Sequence, residues 1–189
     1  PSLNKYNFSF DDNKLTLTQN NNEIITINSN ETGEYELISN KILELENSLQ
    51  KPLFLMKNIN IPFFDTSISN KTLLTHSISL INNKSIKDFE DKTNQEIETK
   101  RFRGNIYVDG IEAWEERNWI GKIIKINNIS FKVEKNIPRC VAINLKPNTD
   151  DDSLNLLQSL KKTYNHFDMG VYLTALDSGE INIGDIISK

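Results

Sequence analysis

The chain is poor in the residues that usually advertise chemistry. A single cysteine in 189 residues allows no intrachain disulfide and fits a reducing compartment. With two histidines beside that cysteine, a zinc site of ordinary type lacks ligands. No CxxC pair, HExxH helix, GxxxxGK[ST] phosphate loop or GxGxxG turn is present, and nothing ties His76 or His166 to a serine nucleophile and an acid, so classical hydrolase and zinc-enzyme readings fall away. No apolar run approaches the ~20 residues that span a bilayer, and the N-terminus lacks the apolar core of a signal peptide. A soluble cytoplasmic protein without membrane contact is expected. Charge of one sign is missing too: 22 Lys+Arg against 26 Asp+Glu leave a net −4, without the broad basic footprint of a nucleic-acid binder. Glycine (7) and proline (5) are scarce, a bias from which no mechanism follows. The chain begins at Pro1 and not at methionine, which reads as processing or truncation.

What is present suits one domain, or one domain with a small appendage, long enough to bury a sizeable core. Phe8, Phe10, Leu15 and Leu17 alternate around Asp11-Asp12-Asn13 as a hairpin, and Ile25 and Ile27 suggest a further strand. Ile38, Ile42, Leu45 and Leu49 mark one face of a helix over 34–49, stopped by Lys51-Pro52. Pro62 breaks the apolar stretch 59–64, and 65–72 reads as a loop. Ile78 and Leu80 place a strand before a helix from Ile86 to about Asn94, with Ser85 and Asp88 in a capping pattern. Ile106 to Val108 forms a short strand. Ile124, Ile126, Ile129, Phe131 and Val133 alternate across Asn127-Asn128 as the clearest hairpin. Asp150-Asp151-Asp152-Ser153 opens a helix carrying Leu154, Leu157, Leu160 and Tyr164, its acids complementing the dipole. Gly170 to Leu173 and Glu180 to Asp185 read as two closing strands. Both tryptophans, Trp114 and Trp119, are expected in the core. Many short strands with three helices predict a β-rich α+β fold, a barrel with a few peripheral helices.

Two stretches carry candidate chemistry. Pro138-Arg139-Cys140 sets the lone thiol beside an arginine where a strand gives way to a loop, a position open both to a reactive or metal-binding cysteine and to an inert one. Lys100-Arg101-Phe102-Arg103 feeds three cations into a strand. Arginine's planar fork suits phosphate, so the cluster is readable as an anion clamp; composition alone favours a solvated face paired with Glu96 and Glu98.

Taken together, the blocks 101–110, Trp119-Ile120-Gly121, Pro138-Arg139-Cys140, Gly170-Val171-Tyr172 and 179–185 resemble the MOSC domain, the module named after the C-terminal domain of molybdenum cofactor sulfurase. The order and spacing match from about Phe64 onward, which divides the chain into a MOSC domain at 61–189 and an N-terminal β/α segment at 1–60, the remnant of a MOSC N-terminal β-barrel domain. The resemblance implies a β-barrel domain binding the molybdenum–pterin cofactor, as in the 6-hydroxylaminopurine resistance proteins and the mitochondrial amidoxime-reducing component. It implies Cys140 as thiolate ligand to molybdenum and catalytic residue, and Arg103 and Asn105 as contacts to the cofactor's phosphate and pterin. Arg101, Arg139 and the segment Thr75-His76-Ser77 follow as further cofactor contacts. The chemistry agrees, since molybdenum favours a soft thiolate and a phosphate favours arginine. The implied activity is reduction of N-hydroxylated small molecules, with electrons from a separate ferredoxin- or flavoprotein-type donor, because no flavin, haem or iron–sulfur motif is visible. The alternative within the family is a non-redox sulfur-transfer module in which Cys140 carries a persulfide; an association with pyridoxal phosphate also attaches to the family. Two departures stand out: the upstream segment with a lysine or serine for the cofactor phosphate finds no counterpart, and 141–147 lacks the Thr-x-Asp-Pro character common after the cysteine.

Overall fold

The computed structural model describes residues 2–49, 52–55 and 77–189. The expected break at Pro62, the loop 65–72, and Thr75 and His76 lie outside the described residues. The chain divides into two compact units, 1–63 with 145–153, and 64–144 with 154–189.

In the first unit β1 (Tyr6–Asp11), β2 (Lys14–Gln19) and β3 (Asn22–Asn28) form an antiparallel meander. The turns follow from residue type: Asp12, Asn20 and Asn21 take positive φ, a conformation their short polar side chains tolerate. Alternation aims Leu17 and Ile27 at Ile38 and Ile42 of α1 (Tyr35–Leu45), giving a small core with Tyr6. That helix stops four residues short of the expected Leu49, at Glu46, whose carboxylate is held by Tyr6 Oη (2.6 Å) and Lys5 Nζ (2.6 Å). Burial, then this hydrogen bond, pushes the Tyr6 phenol up to about 12. Asn4 Nδ2 donates to the carbonyls of Lys146 (2.6 Å) and Thr149 (2.7 Å), tying 145–153 into the unit.

The second unit is a curled, six-stranded half-barrel. Its strands are β4 (Ile78–Asn82), β5 (Ile106–Val108), β6 (Ile123–Ile126), β7 (Ile129–Pro138), β8 (Asp168–Ala175) and β9 (Ile187–Ser188), in the order β5-β4-β8-β7-β6-β9. Among the described strands only β4 and β5 run parallel. One sheet face buries Leu80, Ile124, Phe131, Val133, Val171 and Leu173 with Trp119. The other receives α2 (Asn83–Thr93) and α3 (Leu156–Tyr164) through Ile81, Phe89, Phe102, Ile137, Leu156, Leu160 and Met169. The expected hairpin at Asn127-Asn128 is present, with Asn127 at φ +52°.

Gly170 is where β8 crosses β4. Its φ is +80°, and a Cβ there would stand 2.4 Å from the Leu80 carbonyl oxygen and 2.6 Å from Ile81 Cδ1. Only glycine meets both demands.

Four expectations need correction. The cap of α2 is Asn82, whose side chain accepts from Lys84 N, and not Ser85; the Ser85 hydroxyl turns to Glu116. The third helix starts at Leu156 behind an Asn155 cap, so the acidic run 150–152 precedes it, and Asp151 instead accepts from Ser153 N in a tight turn. Glu180–Asp185 forms no strand, because Asp185 folds back to accept from Asn182 N (2.7 Å) and the final strand is two residues later. Trp114 is half-buried, its indole N–H donating to Asp88 (2.7 Å) and not sealed in the core.

Candidate functional site

Cys140 lies just past the end of β7, and its side chain is exposed. Three arginines fix the backbone around it. Arg139 spreads its guanidinium over two carbonyls, Nε and Nη2 donating to Met169 O and Nη1 to Phe102 O (2.9 Å). Arg101 donates through Nε to Glu98 and through Nη1 to Asn144 O (2.6 Å). Arg103 donates through Nη1 to Ala142 O (2.8 Å). Apart from the Arg101–Glu98 pair, each bond joins the turn 101–103 or the start of β8 to the segment 139–144. Two blocks some 40 residues apart in sequence thus become one structural unit.

The three arginines are not equivalent. Arg101 is 1% exposed, so the solvated-face expectation fails for it, although the expected pairing with Glu98 is present. Arg139 is held in place by its carbonyls, and desolvation lowers its pKa to about 10, leaving it charged at neutral pH. Arg103 is exposed and takes a left-handed backbone, φ +46°, which swings its guanidinium toward the 141–144 turn. A cation that is both exposed and anchored on the cysteine loop suits an anionic ligand best.

Asn105 is shared between neighbouring strands. Its Oδ1 accepts from Ser79 N (2.9 Å) and Ser79 Oγ (2.8 Å), so Nδ2 is the group directed outward, and among the described residues it has no hydrogen-bond acceptor. Ser77, one residue before β4, has a buried hydroxyl without a partner. Asn105 also lines a cleft of about 660 Å³ bounded by 105–111 and 181–187 with Ile126, the seam between the two edges of the half-barrel. Arg101, Arg103, Arg139, Cys140 and Ser77 do not line it.

The donor set fits a molybdenum–pterin group: an accessible thiol, an exposed guanidinium, an outward amide N–H and an unpaired hydroxyl. Among the described residues no three His, Cys, Asp or Glu side chains gather as metal ligands. No helix among the described residues is long and apolar enough to cross a membrane.

Sequence reasoning missed a buried acid. Glu116 is fully buried and accepts from Asn82 Nδ2 (2.9 Å) and Ser85 Oγ (2.9 Å). Desolvation raises its pKa against those hydrogen bonds. Nothing in Trp114-Glu115-Glu116-Arg117 distinguishes it from Glu115, which reaches Lys189 instead. A second cluster joins α2 to α3: the Asp88 carboxylate accepts from Trp114 Nε1 (2.7 Å), Tyr164 Oη (2.7 Å) and Lys92 Nζ (2.9 Å), with His166 stacked on Tyr164.

Comparison with known proteins identifies the family. Over 124 residues the chain is 28% identical to mitochondrial amidoxime reducing component 2 of Rattus norvegicus, covering 59% of this chain and 36% of that protein. Over 88 residues it is 31% identical to the molybdenum cofactor sulfurase of Bombyx mori, covering 46% and 10%. The Bos taurus amidoxime reducing component 2 matches at 25% over 120 residues, covering 57% and 35%. The chain therefore spans little more than a third of these relatives at most. The crystal structure of YiiM from Geobacillus stearothermophilus aligns over 58% of this chain and 52% of its own, at 18% identity and a TM-score of 0.46. Residues 68–188 match the MOSC domain model, and the chain belongs to the MOSC domain family.

Proposed function

We propose that this chain binds the molybdenum cofactor and reduces N-hydroxylated compounds, with electrons delivered by a separate ferredoxin- or flavoprotein-type donor. The observation that carries the reading is the arginine-built junction that holds an exposed thiol beside Arg103 and Asn105. The likeness to proteins named for amidoxime reduction adds the reaction type. In that reaction an N–OH group takes up two electrons and two protons, the N–O bond breaks, and the oxygen leaves as water.

The protein's part is binding and orientation. Cys140, as thiolate, would hold the metal; Arg103 would meet the cofactor's phosphate, and Asn105 Nδ2 a pterin acceptor. Arg139, next to the cysteine, binds the carbonyls of Phe102 and Met169, and Arg101 binds that of Asn144, which keeps these groups in register. When bound, the cofactor supplies the two-electron redox centre.

The test is molybdenum and pterin content of protein purified from a cofactor-competent host, beside Cys140→Ser and Arg103→Ala. Near-stoichiometric metal lost in Cys140→Ser, and pterin reduced in Arg103→Ala, are the expected results, followed by reduction of benzamidoxime with an artificial electron donor. Metal-free but folded wild type would overturn the reading. The exposed thiol also suits the sulfur-transfer alternative, which predicts sulfane sulfur on Cys140 in that metal-free protein.

A further inference from the structure

The strand β5 carries a tyrosine whose hydroxyl reaches back into the arginine turn. Alternation along β5 sends Ile106 and Val108 to one sheet face and Tyr107 to the other, where its ring packs against the cluster that holds Ile81 and Phe102. The ring lies over Gly104. A Cβ there would stand 3.1 Å from Tyr107 Cζ and 2.5 Å from Ile81 Cγ1, so the missing side chain at 104 is what lets the ring come down on the backbone. Tyr107 Oη then accepts from Gly104 N (2.8 Å) and donates to Thr99 O (3.4 Å). One hydroxyl thus ties both ends of the turn 99–104 to the strand that follows it.

The residue inside that turn with most to gain is Arg103. Its backbone is left-handed, at φ +46° and ψ +45°, which is unfavourable for a residue that carries a Cβ. The turn holds it from both sides. Its own N–H donates to Lys100 O (3.1 Å), and the N–H of the peptide that follows it is the one bound by Tyr107 Oη. The second bond fixes the plane of that peptide and with it the ψ of Arg103, from which the side chain sets out to donate through Nη1 to Ala142 O (2.8 Å) on the cysteine loop. Removing the hydroxyl alone would take an anchor from a costly backbone conformation and leave the ring contacts in place.

We propose that Tyr107 is a positioning residue, its hydroxyl holding Arg103 in the left-handed turn and so setting the guanidinium for a phosphate-bearing ligand. Tyr107 acts through Arg103 and not by contact. This rests on the reading of Arg103 as a phosphate contact: the phosphate ester of the pterin is one source of that group, and another phosphorylated small molecule is the other.

The experiment compares wild type with Tyr107→Phe, and with Tyr164→Phe as a control that removes a comparable bond, Tyr164 Oη to Asp88 (2.7 Å), elsewhere in the same unit. The first readout is the affinity of cofactor-free protein for inorganic pyrophosphate by calorimetry. Wild type and Tyr164→Phe should bind alike, whereas Tyr107→Phe should bind about fivefold more weakly, the effect of one neutral hydrogen bond. The second is the NMR signal of the Arg103 Nε–H group, identified by its loss in Arg103→Ala. It should move in Tyr107→Phe and stay in Tyr164→Phe, a difference that a loss of stability alone would not produce. Tyr107→Met, which also lacks the hydroxyl and fills the space with a flexible apolar chain, gives the same readings should the phenylalanine variant fail to fold. Undiminished affinity in Tyr107→Phe, an unmoved Arg103 signal, equal weakening in Tyr164→Phe, or no pyrophosphate binding by the wild type would overturn the proposal. Pterin content of protein from a cofactor-competent host then names the ligand. Pterin that falls with the pyrophosphate affinity assigns it to the cofactor. A wild type that binds pyrophosphate but carries no pterin defeats the cofactor reading, while the role of Tyr107 stands for another phosphorylated ligand.

Discussion

At the scale of single residues, what holds the candidate site is a set of arginines bound to backbone carbonyls. Arg139 is the clearest. Its guanidinium satisfies Met169 O and Phe102 O, and Arg139→Leu would leave both carbonyls buried and unpaired, at a cost of about 2–4 kcal/mol. Urea unfolding measures that loss. The same variant should raise the alkylation rate of Cys140 in the folded state, because the loop that carries it loses an anchor. Equal rates would mean that Arg139 stabilises the fold without positioning the thiol.

Glu116 gives a prediction with a sign. Its folded-state pKa is raised by desolvation, so the folded protein holds this proton more tightly than the unfolded chain. The resulting stability is complete below the unfolded value near 4.5, and it is lost as pH rises through the folded value. Glu116→Gln keeps an acceptor for Asn82 and Ser85 but cannot ionise. Urea midpoints of the variant should therefore fall less than those of the wild type as pH is raised through the weakly acidic range. Parallel profiles would show that Glu116 titrates normally.

At the scale of elements, the sequence was most readable where periodicity and turn chemistry agree. The hairpins at Asp12-Asn13 and Asn127-Asn128 combine alternating apolar residues with residues that accept positive φ. It was least readable where tertiary partners override local preference. Ser85 has the spacing of a cap, yet Glu116, 31 residues away, takes its hydroxyl. Asp150 to Asp152 look like a helix start, yet Asn155 caps the helix. For the site, the Cys140 and Arg103 blocks were legible from residue types and their order. The work of Arg101 and Arg139 on backbone carbonyls was not, because no local pattern encodes a partner 30 to 43 residues away.

Gly170 is the element-scale test. A methyl group there meets the Leu80 carbonyl at 2.4 Å with φ at +80°, so Gly170→Ala combines strain with overpacking, about 2–4 kcal/mol together. The midpoint of urea unfolding should drop accordingly. A loss below about 1 kcal/mol, the scale of an ordinary exposed glycine, would show that β4 and β8 part easily at this point.

At the scale of the whole molecule, the half-barrel ends on two edges that have no further partner among the described strands. β5 pairs only with β4 and β9 only with β6 among the described strands, and the cleft between them is flanked by Ile183 and Ile186, at 108% and 79% exposure. Unpaired edges beside exposed apolar side chains template association with other chains, and a net charge of −4 gives only modest repulsion against it. Ile183→Lys with Ile186→Lys should suppress concentration-dependent association in light scattering. Because both side chains already face solvent, the unfolding midpoint should stay within about 0.5 kcal/mol of wild type. A large loss of stability in the double variant would instead mean that these isoleucines pack within the fold, and that the seam is closed in solution.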